Sequence, residues 1–127
     1  MKSPPHAWPL RVAAVVAVVF GILSILSAGR ALFGGPEAAA VVGDAVPFVL
    51  GFNFLAGFAY VAAGVLLWRR HPWAPWLALA ILAATLLVFA AFGWHVFTGG
   101  AYEPRTVGAM TLRTLVWTAI FVVARRA

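Results

Sequence analysis

Four long stretches of this chain carry no charge or only one, and they limit its possible folds more than any other feature. The runs are 12–29 between Arg11 and Arg30, 45–68 between Asp44 and Arg69, 73–97 after His71, and 106–124, whose single charge is Arg113. A helix needs about 20 apolar residues to cross the hydrocarbon core of a bilayer. The first run only just reaches that length, and the fourth is interrupted by its arginine. Lipid must cover much of the surface, because only 9% of the 127 residues are charged and 65% are hydrophobic, whereas a soluble domain carries about 25% charged residues. Backbone in lipid has to satisfy its own hydrogen bonds, and four strands cannot close a barrel, so the runs are helices. The expectation is an all-α, four-helix transmembrane bundle, up-down-up-down with short loops, forming one domain over 1–127. Its helices are expected at about 10–29, 46–69, 73–97 and 106–124.

The residues between the runs fit this division. Gly34-Gly35-Pro36 breaks the chain after the first span, His71-Pro72 after the second, and Gly99-Gly100 with Pro104 after the third. Pro47 and Pro75 fall in first turns, where a missing amide proton costs little. With the N-terminus inside, Lys2, Arg11, Arg69, Arg70, Arg125 and Arg126 face the cytoplasm, and Arg30 and Arg105 face the opposite side. That bias predicts a multi-pass protein of the inner (plasma) membrane with both termini cytoplasmic. Trp8, Trp68, Trp73, Trp76 and Trp94 near the span ends suit interfacial anchors. The net charge of +6 is explained by these flanking residues, so nucleic acid is not an expected partner; the lipid bilayer is. A cleaved signal peptide ending near Ser27-Ala28-Gly29 is the rival reading of the first run. Against it, Ala14, Ala17, Gly21, Ser24 and Ala28 form a small-residue stripe on one helix face, as a packed helix needs.

Few residues in the spans can carry chemistry. There are no cysteines, which removes disulfides, thiolate metal sites and CxxC redox chemistry. No spacing of His6, His71 and His95 resembles a metal site. No acid lies inside a span, which argues against a carboxylate-driven proton exchanger such as the small multidrug exporters. No catalytic triad, carboxylate pair or phosphate loop is present, so no catalytic residue is assigned and an enzyme is not expected.

Arg113 is the most informative position, about 10 Å along the axis from Thr106. Two readings are open: a buried cation that holds an anionic or carbonyl-bearing group, or a side chain that snorkels to the outer interface. Asn53, His95, Glu103 and Arg113 all fall toward the outer half of the bundle, with Tyr60, Trp94 and Trp117 available as an apolar wall. Thr106, Met110, Arg113 and Trp117 share one face of the fourth span, and Asn53, Gly57, Tyr60 and Gly64 share one face of the second. Asn53, Tyr60, His95, Glu103, Arg113 and Trp117 are therefore the candidate ligand-binding set. The alternative is structural: an Arg113–Glu103 pair, with Asn53 and His95 bonding between helices.

The length, the four spans and the Asn53-x3-Gly57-x2-Tyr60-x3-Gly64 pattern make the chain resemble the DoxX-like group of small four-helix bacterial membrane proteins. Asn53 stands where an acid is more usual in that group. Only Arg30 could serve as its basic residue after the first helix. The group's namesake is linked to quinone-dependent thiosulfate oxidation, so the resemblance makes a quinone the one candidate cofactor. Three functions follow as expectations. The first is an accessory subunit or oligomer former, with a second copy or another membrane protein as partner. The second is a binder of a quinone or lipid-like ligand through the polar set. The third is a small transporter.

Overall fold

The structure, a computed structural model, describes residues 7–126. Lys2 and His6 lie outside the described residues. Five helices follow in order: α1 (Ala7–Phe33), α2 (Gly35–Val42), α3 (Pro47–Trp68), α4 (Ala74–Phe97) and α5 (Pro104–Arg126). All but α2 are long and apolar enough to cross a membrane. The protein is an all-α four-helix bundle and a polytopic membrane protein.

Two helices start earlier than the sequence suggested, and one helix was not foreseen. α1 is 27 residues long, about 40 Å at 1.5 Å per residue, so Arg30 lies within it rather than just beyond its end. Arg11 is held at its end by the Trp68 ring, 5.4 Å from guanidinium carbon to ring centroid. α5 begins at Pro104 itself, because proline's fixed φ and absent N–H suit a first helical position. For the same reason the Gly34-Gly35-Pro36 break leads directly into α2, which carries Pro36 in its first turn.

α1 and α3 pack mainly on each other and α5 mainly on α4; α3 also meets α4, and the seam between α1 and α5 is thin. The α1–α3 pair is close because glycines meet backbone. A Cβ at Gly57 would stand 2.6 Å from Ile25 Cγ1 and 2.8 Å from the Gly21 carbonyl oxygen. One at Gly64 would stand 2.9 Å from the Ala14 carbonyl oxygen. The small-residue stripe of α1 is therefore used within the chain: Ala14, Ala17, Gly21, Ser24 and Ala28 are all buried.

The interior divides into two apolar clusters. The larger includes Ala17, Tyr60, Leu67, Ile81, Trp117 and Ala124, and reaches the bundle end that carries Trp8, Arg69 and Arg126. The smaller is Val46, Val49, Phe92 and Met110, toward the opposite end. Trp8, Trp68, Trp73, Trp76 and Trp94 are all exposed near helix ends. Trp117, fully buried, is the exception.

Candidate functional site

Between the two clusters lies a polar layer to which each long helix contributes one side chain. Along α3, Asn53 falls between Val49 and Tyr60; along α4, Thr85 falls between Ile81 and Phe92; along α5, Arg113 falls between Met110 and Trp117. α1 supplies Ser24, whose hydroxyl accepts a 3.1 Å hydrogen bond from Arg113 Nη1.

Arg113 turns inward. It lies about 14 Å along the axis from Pro104, deeper than the sequence suggested, because α5 starts earlier. Its guanidinium carbon lies 5.4 Å from the Phe20 ring centroid and 6.0 Å from that of Tyr60. Both rings present faces that attract a cation. The side chain is thus held among α1 and α3 rather than directed to the outer interface. Its Nε is buried and has no hydrogen-bond partner among the described residues.

Three further polar atoms share that condition. Asn53 Oδ1, the Tyr60 hydroxyl and Trp117 Nε1 are buried and unpartnered. Tyr60 and Trp117 lie against each other with ring centroids 4.8 Å apart. Arg113 and Thr85 face the Tyr60 hydroxyl, while Thr85 Oγ1 donates to the Ile81 carbonyl at 2.7 Å and Arg113 Nη1 donates to Ser24. A buried polar group without a partner costs about 1–3 kcal/mol, and such groups are uncommon enough that each calls for an explanation.

The sequence-predicted set splits in two. Tyr60, Arg113 and Trp117 come together, and Asn53 borders the neighbouring cleft with Ser27 and Met110. His95 and Glu103 are taken up by the loops at the α2 end of the bundle. His95 Nε2 donates to the Ala101 carbonyl at 2.8 Å, and since a carbonyl only accepts, the proton sits on Nε2. The ring also packs edge-on to Phe48. Glu103 Oε1 accepts the Asp44 amide at 3.0 Å, joining the α2–α3 and α4–α5 connections. The Arg113–Glu103 pair is therefore not formed. Ser24 and Thr85 join the layer without having been singled out as site residues. Serine and threonine in apolar helices commonly bond their own backbone, as Thr85 does, so their types alone give no signal.

Clefts open beside the layer. One of about 540 Å³ runs along the α1–α5 seam, lined by Val15, Val19, Leu23, Ser24, Ser27 and Arg113 among others. A second of about 330 Å³ is bordered by Ser27, Asn53, Glu103, Arg105 and Thr106. The arrangement offers a cation and the Ser24 and Ser27 hydroxyls beside an apolar trough, with Asn53 on the neighbouring cleft. The chain matches no family model, no curated protein and no solved structure.

Proposed function

We propose that the protein is a non-enzymatic binder of a lipophilic, quinone- or lipid-like ligand, whose polar head is received at Arg113. The observation that carries this reading is the intramembrane guanidinium, which has one protein hydrogen bond and no acid in any spanning helix. A charge at the centre of a helix costs about 2.5–3.5 kcal/mol on insertion scales, and such residues default to functional roles. The unpartnered atoms of Asn53, Tyr60 and Trp117 beside it support the same reading. Membership of the DoxX-like group belongs to this proposal but does not carry it, since Gly57 and Gly64 are accounted for by packing on α1.

The other two expectations have less support. The accessory-subunit reading drew on the small-residue stripe and on a weak fourth span. The stripe is occupied by α3, and α5 packs on α4. A transporter needs a polar route through the bundle, and the larger apolar cluster fills the half beyond Tyr60 and Trp117. The proposed placement is the inner membrane with both termini cytoplasmic, on the distribution of arginines.

The test is solvent extraction of protein purified from its own membrane, followed by mass spectrometry of the extract. Wild type is expected to yield one lipophilic compound near stoichiometric amount, reduced at least tenfold in Arg113→Gln. An extract that matches the bulk membrane lipids, and is the same for the variant, contradicts the proposal.

A further inference from the structure

The charge balance of the polar layer narrows the ligand class; this step rests on the binding function proposed above. Arginine keeps its proton under all physiological conditions, so Arg113 cannot escape burial by becoming neutral. The chain has three acids, Glu37, Asp44 and Glu103, and all lie outside the spanning helices except that Glu103 immediately precedes α5. Glu103 is engaged by the Asp44 amide. The rings of Phe20 and Tyr60 offset part of the cost, but neither supplies a negative charge. A neutral carbonyl would add only a dipole. A carboxylate or phosphate would supply the missing charge and accept parallel hydrogen bonds from the guanidinium fork. Among the described residues Nη1 donates to Ser24 and Nε has no partner, which leaves donors of the fork for a ligand.

The clefts indicate how such a head would arrive and where its chain would lie. Ser27 borders three of them: the α1–α5 trough, the cleft at Asn53 and Arg105, and a wide opening of about 1000 Å³ under α2 that includes Arg30 and Glu37. Ser27 is itself exposed. The route thus passes from Arg30 and Arg105 at the surface, with Glu37 and Glu103 beside them, past Ser27 to Arg113. Beyond the guanidinium the trough is apolar. From Ser27 to Val15 it follows α1 for about 18 Å. We infer that the ligand is an anionic amphiphile, its carboxylate or phosphate head at Arg113 and its hydrocarbon chain in the trough between α1 and α5.

The test uses the full chain in nanodiscs of zwitterionic lipid, with native mass spectrometry as the readout. The probes are dodecanoate, dodecyl phosphate, dodecanol, decylubiquinone and inorganic phosphate. Binding of one dodecanoate or dodecyl phosphate per chain is expected, and the stronger of the two identifies the head. Affinity should fall at least tenfold in Arg113→Gln and less than threefold in Arg113→Lys. Ser27→Leu, which fills the trough mouth and leaves the guanidinium in place, should weaken both amphiphiles by a similar factor. It serves as the decisive variant if Arg113→Gln does not fold. Dodecanol or decylubiquinone binding as tightly as the anions would overturn the anionic assignment and leave the binding function standing. Inorganic phosphate binding alone would overturn the amphiphile. No binding of any probe by wild type would overturn both.

Discussion

Tyr60 shows how far single residues depart from what packing alone requires. It is fully buried, its ring serves the core against Phe20 and Trp117, and its hydroxyl has no partner. Removing an unsatisfied buried hydroxyl while keeping the ring relieves desolvation without opening a cavity. Tyr60→Phe is therefore expected to leave the stripped protein as stable as wild type, or more stable by up to about 1 kcal/mol, in equilibrium unfolding in mixed micelles. A loss above about 1 kcal/mol would mean that the hydroxyl has a structural partner in the folded protein. Part of the candidate set is legible at this scale: three- and four-residue spacing puts Asn53 and Tyr60 on one face of α3 and Arg113 and Trp117 on one face of α5. His95 and Glu103 were grouped with them because they occur near the same helix ends. Spacing says nothing of loop carbonyls and amides, and it is Ala101 and Asp44 that take up these two side chains.

At the scale of elements, the α1–α3 pair is the most tightly specified part of the bundle. Lipid tails are as apolar as the helices, so association depends on close packing, which small residues allow. At Gly57 the obstructing atoms include backbone of α1, which cannot rotate aside. Gly57→Val is expected to destabilise by about 1–3 kcal/mol, the usual cost of overpacking. Gly93→Ala, where a Cβ meets nothing within 4 Å, should cost nothing and serves as the control in the same unfolding assay. Equal effects at the two positions would contradict the packing described. The four spans were legible because hydropathy over a helix length is a strong signal. α2 was not, because Gly-Gly-Pro was taken as a stop, whereas proline near a helix start is also an initiator. The small-residue stripe on α1 was visible, but its partner was not: a stripe does not indicate whether the facing helix belongs to the same chain.

The whole molecule is asymmetric along its axis. The larger apolar cluster fills the interior of one half, where the clefts are mainly apolar, and the half carrying α2 has clefts bordered by Ser27, Asn53 and Arg30. If the arginine bias sets the orientation, the half carrying α2 faces away from the cytoplasm. The absence of native cysteine makes this straightforward to check with single cysteines and a membrane-impermeant maleimide on intact cells. Val41→Cys and Ala101→Cys, both exposed at the α2 end, are expected to react and His71→Cys to remain unlabelled until the cells are opened; the reverse pattern would invert the topology. The central claim is that Arg113 serves a ligand rather than the fold, and equilibrium unfolding of ligand-stripped Arg113→Leu beside wild type tests it most directly. Exchanging a buried ion pair for hydrophobic residues is often neutral or stabilising by about 1–4 kcal/mol, whereas removing one member of such a pair costs about 3–5 kcal/mol because its partner is left unpaired; half-buried Arg113 has no acid paired with it among the described residues. A leucine variant as stable as wild type or more so is the expected result, and a loss of several kcal/mol would make Arg113 a structural strut.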